Sequence, residues 1–413
     1  MSRACTLNSE TKECKAFLSF LILTLAFAVS GCGVLTEELS STSTDVLNPV
    51  FDPDGDGADP TPTPTPEVIE KTYLGVVGNT ADGGFTLFEV NTSNGSLEQK
   101  AEDTAVGAYA NYVVASPDGK NVYTSNMTGS VTKIDVNAET GATSKSSVTV
   151  GSSNRTMSVH PSGKFVFVGE SLNPTSKIHA LSRDLSSGDL APVGTINTYV
   201  RLRGRMSFGL DGGVLFAPNW QSPSISQLAV SLTTGVLTGL TPDAVPTGES
   251  RTLDTVVSPD GKHLYTPNDW NNRIRGFDID PTTGALAAMV TPSFTMTGLA
   301  AIISMAMTPN GKCIFGGGWG SGKVFAASRN ATTGELTYLD VTTYETAISQ
   351  TEIDSSGKFM YVSRYASTNN LYGFAIDQEA CTYTLLDGFP KTIAYGALNS
   401  LIIFNASYEE QAE

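Results

Sequence analysis

The chain is 413 residues long, with 25 Lys and Arg against 41 Asp and Glu, a net charge of −16. Only 16% of residues are charged, and 40 are glycine. That balance excludes a disordered or mostly helical protein, suits many short strands joined by tight turns, and argues against a nucleic-acid partner.

The first thirty residues read as an export signal. Arg3, Lys12 and Lys15 precede an apolar run, Ala16 to Val29, too short for a comfortable membrane span. The run ends at Val29-Ser30-Gly31-Cys32, which resembles a bacterial lipobox. That resemblance implies cleavage before Cys32, lipidation of its thiol and anchorage to a membrane by lipid. Removing residues 1–31 takes away three basic and two acidic side chains, leaving 22 against 39 and a net charge of −17. Gly33 follows the cysteine, so outer-membrane or surface placement is expected over inner-membrane retention.

Residues 32–70 form the expected tether, rich in Ser, Thr, Pro and Asp. Thr61-Pro62-Thr63-Pro64-Thr65-Pro66 favours an extended polyproline spacer. Asp52-Pro53-Asp54-Gly55-Asp56-Gly57 starts like a calcium loop. Thr63 stands where the bidentate Glu should be, so a solvated linker is expected and no metal is assigned.

From residue 71 the chain repeats. A turn-then-strand unit, Ser116-Pro117-Asp118-Gly119-Lys120, recurs at His160, Gly209, Ser258, Thr308 and Asp354, at spacings of 44, 49, 49, 50 and 46 residues. Proline presets φ and glycine accepts the positive φ of a tight turn. A second unit, strand then Thr/Ser-Gly then strand, occurs seven times, from Phe88–Leu97 to the degenerate Phe374–Tyr383. Six first halves against seven second halves leave Ala397–Phe404 as a lone C-terminal strand. Only a closed ring explains one repeat divided between the two ends. The expectation is an all-β, seven-bladed β-propeller over residues 71–405, with four-stranded antiparallel blades and blade one completed by the C-terminal strand. Residues 406–413 are left as an acidic tail. Cys313 and Cys381, in different blades, are expected to stay unpaired.

These paired motifs resemble the lactonase-like seven-bladed propellers, relatives of the phosphogluconolactonase and YVTN-repeat proteins. Such a blade brings the start of its innermost strand and the loop after its second strand to one face, around the channel mouth. The resemblance implies a histidine five residues before the turn of blade two, where Asn111 stands. It implies an arginine at the same offset in blade three, where Arg155 is found, and a glutamate ending the next strand, met by Glu170 one residue early. A later acid and histidine map to Asp254 and Val256. His160 lies in a turn on the opposite face, and His179 and His263 lie within strands. Arg155 and Glu170 are thus the candidate catalytic pair, a positive group for an oxyanion and a general base for water.

A second feature is read from the residues alone. Trp220, Trp270, Trp319 and Tyr365 fall just after the second strands of blades four to seven, which predicts an aromatic crescent at the mouth. Asn111, Asn126, Arg203, Asn219, Asn268 and Arg364 complete the candidate ligand-binding set, with Asp269 nearby and Arg201 and Arg205 adding positive charge. Gly317–Lys323 nearly spells a phosphate loop, but Val324 replaces the required hydroxyl and no helix follows. H-E-x-x-H, C-x-x-C and G-x-S-x-G are absent. The expected function is a lipid-anchored binding or scaffold module for a glycan, peptide or protein partner, with no cofactor. The alternative is a lactone hydrolase using Arg155 and Glu170.

Overall fold

The repeated turns close as their chemistry requires. In blade two Gly119 N–H donates to Ser116 O at 2.9 Å with Gly119 at φ 66°, and Asp118 accepts from Ser116 Oγ and Lys120 N–H. The second unit closes in the same way: Gly284 N–H donates to Asp280 O at 2.8 Å, and Asp280 Oδ1 accepts from the N–H groups of Thr282 and Thr283. Gly284 has φ 72°, and a Cβ there would stand 2.5 Å from Val214 of the preceding blade. Left-handed backbone and close approach both demand glycine.

A computed structural model describes residues 66–410 except Thr104, Glu249, Ser250 and Asn369. The expected export signal, Cys32 and the expected tether up to residue 65 lie outside the described residues. The propeller falls within the compact unit Pro64–Glu413. It consists of seven four-stranded antiparallel sheets in chain order, the first assembled from Leu398–Glu410, Glu67–Gly78, Gly84–Val90 and Leu97–Asp103. The C-terminal strand pairs with the first along its length, from Glu67↔Glu410 to Gly78↔Leu398, so the ring closes as the split repeat requires. That pairing begins four residues before, and ends five residues after, the expected bounds of 71 and 405. Residues 67–70 and 406–410 are strand because each supplies the other's ladder partners.

The core lies between blades. Second-strand side chains such as Phe167, Phe216, Phe315 and Tyr265, and Phe277 of a third strand, are fully buried, each contributing about 1.5–3 kcal/mol. Tyr73, Tyr123, Tyr265 and Tyr361 also reach the following blade, where their hydroxyls donate to the carbonyls of Ala138, Gly188, Gly334 and Gly95. Two junctions carry a buried arginine: Arg183 grips Asp118 of blade two, and Arg329 grips Asp260 of blade five. At the junction of blades six and seven the tie is covalent, for Cys313 and Cys381 form a disulfide. The expectation that they stay unpaired fails because circular packing sets their Cα atoms 5.4 Å apart, although 68 residues separate them. Among the described residues no helix is long and apolar enough to cross a membrane.

Candidate functional site at the channel mouth

Each innermost strand enters its blade through an irregularity, and these irregularities build the site. In blade two Ala110 pairs with Asn126 and Tyr112 with Ser125, leaving Asn111 as the extra residue of a bulge. Arg155, Ile303, Ser349 and Asn399 are left over in the same way in blades three, six, seven and one. In blades four and five an isolated bridge precedes the strand, and the chain loops out at Arg203–Met206 and Leu253–Thr255. A bulged residue leaves the ladder and re-aims its side chain. Here the bulges aim at the channel: Asn111, Arg155, Gly204, Leu253, Ile303, Ser349 and Asn399 all line one cavity of about 410 Å3.

The cavity is unevenly charged. Arg155, Arg203 and Arg251 line it against a single carboxylate, Asp269. Among the described residues none of the three arginines has a carboxylate oxygen within 4.0 Å. Instead, the guanidiniums of Arg201, Arg203 and Arg251 lie 5.9, 5.3 and 5.3 Å from the centre of the Trp220 ring, within cation–π range. Burial and the charge of Arg201 both lower the pKa of Arg155, and burial and the charge of Arg155 do the same to Arg203. Asp269 Oδ2 accepts the indole N–H of Trp220 at 2.8 Å, while its Oδ1 is buried without a hydrogen-bond partner. Burial pushes the Asp269 carboxyl up, against the opposing pull of Trp220, Arg251 and Arg203. An acidic protein therefore carries a basic pocket at its axis, a local inversion that concentrates anions there.

Arg205 closes the floor. It was expected to add charge to the mouth, but Gly204 at φ 79° turns the chain so that Arg205 points down the channel. Its guanidinium pairs with Glu352, lies 3.8 Å from Asp254 and donates to the carbonyls of Met305 and Thr351. Burial opposes its charge, but Glu352 and Asp254 outweigh that and keep it protonated. Beneath it, at the opposite mouth, lies a cavity of about 400 Å3 lined mainly by apolar side chains.

The structure divides the sequence-predicted residues. Asn111, Arg155, Arg203, Trp220, Trp270 and Trp319 line the cavity. The Tyr365 ring lies tilted by 38° against Trp319, with centres 5.5 Å apart. Asn126, Asn219 and Asn268 are buried within their own blades, bonded to Ser130 and Thr132, to Ser224 and Ser226, and to the N–H groups of Trp270 and Asn271. Arg364 is tied to Thr346 O, Thr368 O and Glu345. Glu170 and Arg155 are not brought together: Glu170 is buried, and its Oε1 accepts from Ser152 N–H and Oγ at 2.7 and 3.1 Å. No histidine lines the cavity; His160 bonds Ser162 and Gly212 on the turn side.

The aromatic crescent needs one correction. Trp220, Trp319 and Tyr365 each donate their backbone N–H to a left-handed residue, Arg201, Ala301 and Ala347. In blade five that position is held by Asp269, bonded to Arg251, so Trp270 sits one residue further out. Trp270 is 69% exposed, and its ring centre lies 4.5 Å from the Arg251 guanidinium. Sequence reasoning missed Arg251, Tyr112, Gln350 and Asn399. Arg251 was discoverable by offset, since it stands seven residues before its turn, as Ala301 and Ala347 do before theirs.

Residues 71–172 match the family described as "Lactonase, 7-bladed beta-propeller". No curated protein sequence matches the chain. Among solved structures, a putative 6-phosphogluconolactonase from Bacteroides fragilis is similar at 18% identity and a TM-score of 0.69, over 81% of this chain and 98% of that one. A periplasmic gluconolactonase from Pseudomonas aeruginosa follows at 17% identity and 0.68, over 81% and 99%. A functionally unknown protein from Desulfotomaculum acetoxidans is similar at 15% identity and 0.64, over 80% and 98%. At these identities the likeness is one of fold. Over residues 71–172 the chain is thus similar in sequence to the lactonase propellers, and around the whole ring its architecture is that of a seven-bladed β-propeller.

Proposed function

We propose that the channel mouth is a binding site for a small anionic, sugar-like ligand, and that the protein is a binding module rather than a hydrolase. The observation that carries this reading is the cluster of Arg155, Arg203 and Arg251 facing one cavity with Asp269 as their single opposing charge. Guanidiniums without carboxylate partners suit a carboxylate or phosphate, which they grip in bidentate fashion. Trp220, Trp270 and Trp319 offer faces for a sugar ring, and Asn111, Asn399 and Gln350 offer amides to hydroxyls. Hydrolysis finds less support. Opening a lactone needs a base beside the oxyanion donor, but Glu170 is held by Ser152 and Asp269 by Trp220.

The test is calorimetric titration with gluconate 6-phosphate, gluconate, glucuronate and glucose, beside an assay for hydrolysis of the matching lactones. Saturable binding of the acids but not glucose, weakened at least tenfold in Arg203→Ala, is expected. Lactone turnover lost in Arg155→Ala and Glu170→Gln would overturn the binding-only reading.

The lipid anchor belongs to the same proposal, supported by the apolar run that ends in Val29-Ser30-Gly31-Cys32. Wild type should partition into a detergent phase and Cys32→Ser into the aqueous phase; aqueous partitioning of both would remove the anchor.

A further inference from the structure

The loop that leads to Arg155 carries a group of polar atoms that the mouth does not use. Asn154 opens the innermost strand of blade three and Glu170 closes its second strand, and the two are direct ladder partners. His179, in the third strand, pairs with Val168, two residues from Glu170 and therefore on the same face of the sheet. The three side chains converge beside Gly151. A Cβ on that glycine would stand 2.5 Å from Glu170 Oε1, 2.8 Å from His179 Nε2 and 3.0 Å from Asn154 Oδ1. Glu170 Oε2 is 3.5 Å from His179 Nε2.

Two of these atoms are buried with no hydrogen-bond partner, Asn154 Oδ1 and His179 Nε2. Asn154 is fully buried, and its amide nitrogen donates to Val150 O at 2.6 Å and to Ser130 O at 3.3 Å. Those bonds fix the amide orientation and turn Oδ1 inward without a donor. An orphaned acceptor of this kind is destabilising unless something electropositive fills the gap. Glu170 is 3% exposed, and its Oε1 already has two donors in Ser152, so its Oε2 is left facing His179.

We propose that Glu170, His179 and Asn154 form a site for one divalent transition-metal cation of the zinc class. The donor set is one carboxylate oxygen, one imidazole nitrogen and one amide oxygen. Imidazole selects zinc, cobalt or nickel over calcium and magnesium, which prefer oxygen alone. The 3.5 Å between Glu170 Oε2 and His179 Nε2 is close to the edge of a tetrahedron whose centre lies about 2.1 Å from each ligand. Gly151 and Ser152 are exposed, which gives an entry path and leaves room for water to complete the coordination. Among the described residues no cluster of three or more His, Cys, Asp and Glu side chains could hold a metal, so the asparagine is what makes this set a site. A bound ion would tie three strands of blade three together directly beside Arg155. This inference does not depend on what the mouth binds.

The experiment uses the full chain, stripped with a chelator and titrated with zinc chloride in excess calcium, which occupies weak oxygen-only sites on this acidic surface. One saturable zinc per chain is expected, at roughly micromolar affinity or tighter, with a rise in melting temperature. Cobalt(II) should give a visible absorption band that reports nitrogen ligation. His179→Phe should abolish that band, and Glu170→Gln, whose amide oxygen can still accept from Ser152, should weaken zinc binding at least tenfold. If His179→Phe fails to fold, Glu170→Gln decides alone. No saturable binding in the wild type, or binding unchanged in Glu170→Gln, would overturn the site.

Discussion

Arginines on the two sides of the propeller do opposite things. On the turn side Arg183 donates to both oxygens of Asp118, to Tyr123 Oη and to Gly163 O. Arg329 repeats that pattern with Asp260, Tyr265 Oη and Gly311 O, and meets His263 where Arg183 meets Asn121. Each of these side chains is 1% exposed and saturated with partners from its own and the preceding blade. At the mouth Arg155, Arg203 and Arg251 have aromatic rings and one another for company. The difference is one of satisfaction: a buried charge with partners in two blades ties them together, whereas the mouth arginines have no carboxylate within salt-bridge distance, as the proposed anion site requires.

The largest effect should come from the third kind of blade tie. Cys313 follows its turn lysine at the position where Asn121 and His263 meet Arg183 and Arg329, so the disulfide replaces the arginine lock at the junction of blades six and seven. Replacing both cysteines by serine reopens a loop with a sequence separation of 68, which should cost about 4 kcal/mol in chemical denaturation. Arg329→Ala should come next, at about 3 kcal/mol, because it strips partners from Asp260, Tyr265 and His263 at once. Neither change should alter ligand affinity at the mouth.

Arg203→Ala should show the reverse profile. Its removal relieves repulsion with Arg155, so stability should stay within about 0.5 kcal/mol, while affinity for an anionic ligand falls tenfold or more. Equal losses of stability and affinity would erase the contrast between the two sides.

The smallest effect is a pH dependence confined to the turn side. Burial, then Arg329, lowers the pKa of His263, and burial lowers that of His160. A histidine depressed in the fold is neutral there, so its contribution is complete above its ordinary pKa of about 6.5. It is lost as pH falls from there towards the depressed value, because the unfolded chain takes up the proton first. Melting temperature should therefore fall by roughly a few degrees between pH 7.5 and 5.5. His263→Asn, which copies blade two, should keep the lock and remove part of that loss. An unchanged pH profile would show that His263 is not its source. Asp260, whose pKa is lowered to about 2 with help from Ser258 and Arg329, stays charged throughout this window.

Much of this was written in local chemistry. Turns such as Ser116–Lys120 and Asp280–Gly284 depend on residues a few positions apart, so proline, asparagine, aspartate and glycine announce them directly. Counting the halves then implies the ring, because an unpaired strand at each terminus has one economical partner. Offset from a turn also located Asn111 and Arg155 at the mouth, since every blade repeats the same frame.

Tertiary structure alone decided what each side chain meets. Whether Cys313 reaches Cys381, whether Glu170 faces Arg155 or Ser152, and whether Arg205 points to the mouth or the floor depend on neighbouring blades and on one bulge or one positive φ. Adding one residue to a strand re-aims its side chain without changing composition or periodicity. The sequence therefore determined the ring and its two faces, and packing across the ring determined which charges found partners and which did not.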